Sequence, residues 1–288
     1  MYNFAYKKYI KNWQKNINFL YKKGGKMLGA IIGDIVGSIY EFNNIKTKDF
    51  PLFNRACSFT DDSVMTIAVY LAIKNAKNDY SDLEEKTVFY MQKLGRNYPG
   101  RGYGGYFSIW LRSESPAPYH SYGNGAAMRV SPCGFLANSL EEAKLLAQKV
   151  TCVTHNHPEG LKGAEATATA IYMARCGKSI KEIKKYICNH YYNIDFVLDK
   201  IRPRYFFNET CQNTVPQALE AFFESTSFED AIRNAISIGG DSDTLAAITG
   251  GVAEAYYGIP EDIKNRAISY LDDNFKTIIK DYYDNLNK

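Results

Sequence analysis

From Met27 onward apolar residues return every three or four positions, and alternation with a period of two is nearly absent beyond four residues. That repeat fits a helix of about 3.6 residues per turn and not a pleated strand. It predicts helices over Val64–Ala76, Leu83–Leu94, Glu141–Val153, Glu159–Cys176, Ser179–His190, Thr214–Phe223, Phe228–Ile236, Thr244–Tyr257 and Glu261–Lys280. Ser139, Ser227-x-x-Asp230 and Pro260-Glu261-Asp262 stand where helix starts are expected, because side-chain oxygens there accept the free N–H groups of a first turn. The fold class that follows is all-α, with functional loops between helices. No repeat or low-complexity linker divides the chain, so residues 27–288 read as one domain. Apolar residues at 45% and charged residues at 23% are enough for a large core.

Residues 1–26 differ in character. They are rich in Lys, Asn and Tyr, carry no acidic residue, and end in Lys-Gly-Gly-Lys before Met27. A purine-rich ribosome-binding site, translated, would give such a tract, so the expectation is a natural start at Met27 and a mis-called extension before it. The rival is an amphipathic helix packed on the domain. No signal-peptide core or membrane-length apolar run is present. The six cysteines, Cys57, Cys133, Cys152, Cys176, Cys188 and Cys211, form no CxxC pair. They read as buried thiols of a reducing compartment, hence a cytoplasmic protein. The net charge of +4 is spread thinly, which argues against nucleic acid as a partner. A monomer is the default.

Five segments carry unusual chemistry. In Gly29–Glu41, glycines at 29, 33 and 37 would line one smooth helix face, with Asp34 a charge in an apolar run. In Phe59-Thr60-Asp61-Asp62-Ser63 two carboxylates stand at a helix start, where free N–H groups favour their ionised form; a plain N-cap is the simpler reading. In Gly239-Gly240-Asp241-Ser242-Asp243-Thr244 two Asp at i and i+2 follow a flexible pair and can offer oxygens to one side, as a hard divalent cation requires. The spacing is not that of an EF-hand. The Asp-x-Asp-x-Thr core also suits a haloacid-dehalogenase phosphatase, but too little chain follows for that fold's later motifs. Together Asp61, Asp62, Asp241 and Asp243 would place four negative charges in one pocket, and two divalent ions would offset them. Thr60 and Thr244 add neutral oxygens.

The fourth segment pairs Arg101-Gly102-Tyr103-Gly104-Gly105 with Ser121-Tyr122-Gly123-Asn124-Gly125-Ala126-Ala127-Met128-Arg129. Such turns let backbone amides approach phosphates, although neither has nucleotide-fold spacing and both could be ordinary turns. Tyr103 and Tyr122 are available to line a base or ribose. The fifth is Thr154-His155-Asn156-His157-Pro158-Glu159-Gly160. Zinc is disfavoured there, since no further ligand has suitable spacing. His155 reads as a hydrogen-bonding pocket residue, and His157 with Glu159 as caps.

GDIVGSIYE, FTDDS, SYGNGAAMRV, THNHPEG and GGDSDT occur in the order found in ADP-ribosylglycohydrolases, and the chain resembles that family over about residues 27–260. The dinitrogenase-reductase-activating glycohydrolases are among its members. The resemblance implies a compact multihelical orthogonal bundle with a binuclear Mg²⁺ or Mn²⁺ centre. By position, Thr60, Asp61 and Asp62 would bind one ion, Asp241 and Thr244 the other, and Asp243 would bridge them. Glu41 matches an acidic residue on a mobile loop. Gly104, Ser121, Tyr122, Gly123, Asn124 and Gly125 match the segments that hold diphosphate and ribose, and His155 the pocket histidine. Ala126 stands where many members have Ser or Gly, which bears on one phosphate hydrogen bond and on no metal ligand.

The implied activity is hydrolysis of the bond between ADP-ribose and an acceptor, either a protein side chain or a small O-linked conjugate. Asp62, or a neighbouring carboxylate, would take a proton from water, and Glu41 would assist proton transfer or orient the scissile bond. RGYG with SYGNGxAMR is closer to the subgroup that handles serine-linked or O-acetyl ADP-ribose than to the arginine-specific one. Two rivals stay open: a relative that binds ADP-ribose without turnover, as the related lens crystallins suggest, and a metal-dependent nucleotide phosphoesterase.

Overall fold

Every residue of the first described helix, α1 (Leu28–Gly37), is buried, and so is nearly all of α12 (Ser242–Tyr257), which packs against it. The computed structural model describes residues 27–286, so the expectation of a mis-called extension lies outside the described residues. The glycines spaced four apart explain the α1–α12 seam. A Cβ at Gly33 would lie 2.0 Å from the Ala246 carbonyl oxygen, and one at Gly29 would lie 2.3 Å from that of Gly250. Only hydrogen side chains permit this approach. At the start of α1, the buried Glu254 carboxylate accepts the Gly29 N–H at 2.6 Å. A negative charge there satisfies a donor that the helix cannot.

Around this pair stand α2 (Asp61–Lys74), α3 (Leu83–Asn97), α4 (Gly105–Arg112), α5 (Ser131–Leu136), α6 (Leu140–Cys152), α7 (Pro158–Arg175), α8 (Ile180–His190), α9 (Leu198–Ile201), α10 (Cys211–Phe223) and α11 (Phe228–Ser237). The chain closes with α13 (Glu261–Ile268) and α14 (Asp273–Leu286). The described residues contain no strand, only an isolated bridge between Gly123 and Thr210. The all-α reading therefore holds, and α12 is its centre, touching α1, α7, α10 and α11.

Two expected helix starts carry their caps: the Ser139 hydroxyl accepts the Glu142 N–H at 3.0 Å, and Ser227 that of Asp230 at 3.1 Å. One expected helix is two. Glu261–Lys280 breaks after Ile268, where the Ser269 hydroxyl turns back onto the Arg266 carbonyl and Asp272 caps the next helix through the Phe275 N–H at 2.8 Å. An unbroken apolar period concealed a local competition for backbone hydrogen bonds. All six cysteines are free thiols, with Cys57, Cys133 and Cys211 buried. No described helix is long and apolar enough to cross a membrane.

Candidate active site

Asp34, a lone charge within apolar α1, organises one side of the site. Its fully buried carboxylate accepts the Thr60 N–H at 2.9 Å, the Thr60 hydroxyl at 2.7 Å and the Ser63 N–H at 3.1 Å, and the Ser63 hydroxyl as well. These bonds fix the N-terminus of α2. Burial lifts the Asp34 carboxyl to about 6, against the pull of these donors. From the anchored terminus Asp61 and Asp62 project into a cleft. The Asp61 N–H donates to the Arg101 carbonyl at 2.7 Å. A Cβ at Gly102, whose φ is +95°, would sit 3.1 Å from Asp61 Oδ1. One duty of the RGYG turn is thus to let the backbone pass close to that carboxylate.

The other side comes from the far end of the chain. Gly239 and Gly240 both adopt positive φ, at 71° and 83°, a region open chiefly to glycine. The turn they make places Asp241 at the N-cap of α12 and Asp243 in its first turn. Asp241 Oδ2 accepts the Asn124 amide at 2.7 Å. The Thr244 hydroxyl donates to Asp62 Oδ2 at 3.3 Å, across 182 residues of sequence. The two acidic segments therefore meet. Oxygens of Glu41, Asp241 and Asp243 lie within 4.8 Å of one another. Asp62 Oδ1 is buried and has no hydrogen-bond partner. Burial, reinforced by the neighbouring carboxylates, holds Asp61, Asp62 and Asp243 well above the usual carboxylate range. Half-buried Glu41 is pushed up to about 7, by burial first and by Asp241 next. Sites that suppress their own ionisation in this way accept cations readily.

Glu41 sits in the segment after α1, and Asn44 ties that segment to the glycine turn. The Asn44 amide reaches the Glu41 carbonyl at 2.9 Å and the Gly240 carbonyl at 2.8 Å, and its oxygen accepts the Gly240 N–H at 2.6 Å. Lys46 donates to the Tyr205 and Ile238 carbonyls.

The third wall is the Ser121–Gly125 turn. The Ser121 hydroxyl accepts the Gly123 N–H at 3.1 Å, and the Asn124 N–H donates to the Glu209 carbonyl at 2.7 Å. Gly123 and Gly125 face His155, whose Nε2 would lie 3.5 and 3.4 Å from Cβ atoms placed on them. Of the residues singled out in the sequence, Glu41, Asp61, Asp62, Gly104, Ser121, Gly123, Asn124, Gly125, His155, Asp241, Asp243 and Thr244 line this one cleft. Thr60 and Tyr122 are not among its lining residues. Thr60 lies behind Asp61 with its hydroxyl on Asp34, and Tyr122 is 46% exposed with its ring 5.1 Å from His157. His157 caps α7 by accepting the Glu159 N–H at 3.0 Å. Tyr103 lines a neighbouring cavity and donates to the Tyr98 carbonyl. Sequence reasoning missed Tyr119 and Glu209, which also line the cleft, gave no role to Arg129 at the end of its fourth segment, and missed the anchoring role of Asp34. A charge inside an apolar helix was the one signal for the last.

A profile of the ADP-ribosylglycohydrolases matches residues 21–287. The chain belongs to the ADP-ribosylglycohydrolase family. It is 25% identical to the ADP-ribosylhydrolase ARH3 of Homo sapiens, over 82% of this chain and 85% of that protein. It is 26% identical to the ADP-ribosyl-[dinitrogen reductase] glycohydrolase of Rhodospirillum rubrum, over 86% and 89%. It is 25% identical to the ADP-ribosylarginine hydrolase Tri1 of Pseudomonas putida (strain GB-1), over 82% and 70%. A solved structure described as an ADP-ribosylglycohydrolase-related protein complex superposes with a TM-score of 0.67 at 20% identity, over 94% of this chain and 99% of that one, and so shares the fold. This ADP-ribosylglycohydrolase is accordingly a hydrolase of ADP-ribose linkages that carries an acidic group able to hold a metal ion.

Proposed function

We propose that this ADP-ribosylglycohydrolase is metal-dependent and cuts the glycosidic bond between ADP-ribose and an acceptor, which is a protein side chain or a small O-linked conjugate. The observation that carries the reading is the meeting of the Thr60–Asp62 and Asp241–Thr244 segments, with Thr244 Oγ1 at 3.3 Å from Asp62 and one Asp62 oxygen buried without a partner. An all-oxygen donor set of this kind suits hard cations. Two Mg²⁺ or Mn²⁺ ions would be held by Thr60, Asp61, Asp62, Asp241, Asp243 and Thr244, with Asp243 shared, and would supply Lewis-acid charge and a more acidic bound water.

The chain's own groups do the rest. Gly104, at the N-terminus of α4, offers backbone N–H groups to a diphosphate, and the glycine-lined Ser121–Gly125 turn lets the ligand come close, its Gly123 and Asn124 N–H groups being held by Ser121 and Glu209. His155, together with Tyr122 at the edge of the turn, completes the substrate-binding set. Cleavage breaks the bond between the anomeric carbon and the acceptor while water adds to that carbon, through an oxocarbenium-like transition state. Asp62 takes the proton from the attacking water. Glu41, half-buried beside Asp241 and Asp243, is placed to pass a proton to the leaving group or to orient it.

The deciding assay incubates the enzyme with Arg-, Ser- and nucleic-acid-linked ADP-ribose and identifies the products. Free ADP-ribose is expected, lost with EDTA and restored by Mg²⁺ or Mn²⁺. AMP or phosphate as product would mean a phosphoesterase, and turnover indifferent to EDTA would remove the metal from the reading.

A further inference from the structure

Arg129 is only 1% exposed, yet it lines the cleft. The groups that most offset its burial are Tyr119 and the thiols of Cys211, Cys133 and Cys152, and among the described residues no carboxylate forms an ion pair with it. A buried guanidinium with no anionic partner is costly, so its contacts are informative. One terminal nitrogen donates to the Thr154 hydroxyl at 2.6 Å and, at 3.5 Å, to the Val150 carbonyl. Its Nε–H meets no acceptor. Thr154 Oγ1 in turn lies 2.7 Å from His155 Nδ1 and 3.4 Å from the Thr151 carbonyl.

A hydroxyl has one proton to give. Accepting a hydrogen bond from a cation makes it a stronger donor and a poorer acceptor for a second partner. The nearer acceptor is Nδ1, so the Thr154 proton points there. Nδ1 then carries no proton of its own. Burial, and the Arg129 charge after it, both disfavour the imidazolium. The ring proton is left on Nε2, the atom that faces Gly123 and Gly125.

We infer that Arg129 and Thr154 are positioning residues that fix His155 as the neutral tautomer protonated on Nε2, so that His155 offers a hydrogen-bond donor to ligand held at the Gly123–Gly125 turn. The identity of that ligand as ADP-ribose rests on the function proposed above; the tautomer does not. A wall that holds the buried Arg129 charge and presents the Nε2 donor in the same cleft as the acidic group fits a ligand that is anionic at its diphosphate and rich in hydroxyls at its ribose.

The test uses the full chain labelled with ¹⁵N-histidine. The chain has four histidines, so His155 is assigned by the signal lost in His155→Gln. Long-range ¹H–¹⁵N spectra near neutral pH should show Nδ1 unprotonated and Nε2 protonated. The near-isosteric Thr154→Val should shift His155 toward the Nδ1-protonated form, as should Arg129→Met if it folds. Both Thr154→Val and His155→Gln should weaken ADP-ribose binding to the Mg²⁺-loaded protein roughly tenfold, the loss of about one hydrogen bond. A wild-type His155 protonated on Nδ1, or a tautomer unmoved in Thr154→Val, overturns the inference. A shifted tautomer with undiminished affinity overturns its ligand half. Wild-type protein that fails to bind ADP-ribose refutes the proposed function, and the tautomer spectra still decide the relay.

Discussion

Asp241 stands at the N-cap position of α12, yet its side chain accepts no N–H of that helix and instead turns an oxygen toward a cluster of like charges. Its carboxylate is oriented by the Asn124 amide at 2.7 Å. Partners of this kind tune a metal ligand without touching the ion, and losing one costs about 10–100-fold in metal affinity or activity. Asn124→Ala should therefore weaken activation by Mn²⁺ by about that factor, read from the Mn²⁺ concentration at half-maximal rate; an unchanged midpoint would show that Asn124 orients nothing. Asp243→Ala should do more, lowering turnover by at least about 100-fold, while the far-ultraviolet circular dichroism stays helical. Retained turnover in that variant would reject the shared-ligand role. The acidic pairs were legible in the sequence only together, since Thr-Asp-Asp-Ser alone reads as a plain N-cap and the second pair, after Gly239-Gly240, is what turns four carboxylates into a cation site. Asp34 and Arg129 were not, because their roles are defined by Thr60, Ser63 and Thr154, and sequence spacing does not reveal which of these they will meet.

Helix N-termini do most of the assembling. The starts of α2, α4 and α12 all open on the cleft, and each turns a positive dipole end toward carboxylates or phosphates, the first N–H groups of α2 being already taken by the Arg101 carbonyl, Thr60 and Asp34. Long helices with strong periodicity were readable from sequence. The short α4 and α5 were not, since one or two turns hold too few apolar residues to define a period, and the break before α14 was set by side-chain competition at Ser269 and Asp272. The α1–α12 seam yields a sharp prediction. A Cβ at Gly33 would stand 2.0 Å from backbone, so Gly33→Ala must push two central helices apart. It should destabilise the protein by about 3 kcal/mol or more, measured by urea unfolding. Gly104→Ala meets no atom within 4 Å and should change stability by under about 0.5 kcal/mol. Equal effects of the two variants would contradict the tightness of the seam.

At the scale of the whole molecule, the acidic site works against stability when no cation is bound. Glu41 titrates at about 7 against an ordinary 4.5, and Asp34 at about 6 against 3.8. In both cases the folded value exceeds the unfolded one. The folded state therefore holds more protons between these limits, and its stability falls as pH rises through them. Metal-free protein should melt at a lower temperature near about pH 8 than near about pH 5. Mg²⁺ or Mn²⁺ should raise the melting temperature more at the higher pH, where protons no longer compete for the carboxylates. A metal-free melting temperature that rises across this range would contradict the assigned shifts. The pairing of α1 with α12 also has a temporal side. Gly29 and Glu254 are 225 residues apart, so during synthesis α1 leaves the ribosome long before the surface that will cover it exists. Contacts of such separation form late. A nascent chain stalled before α12 would expose an apolar helix and be catalytically silent, which makes α1 one of the last described elements to settle and a natural place for a chaperone to hold.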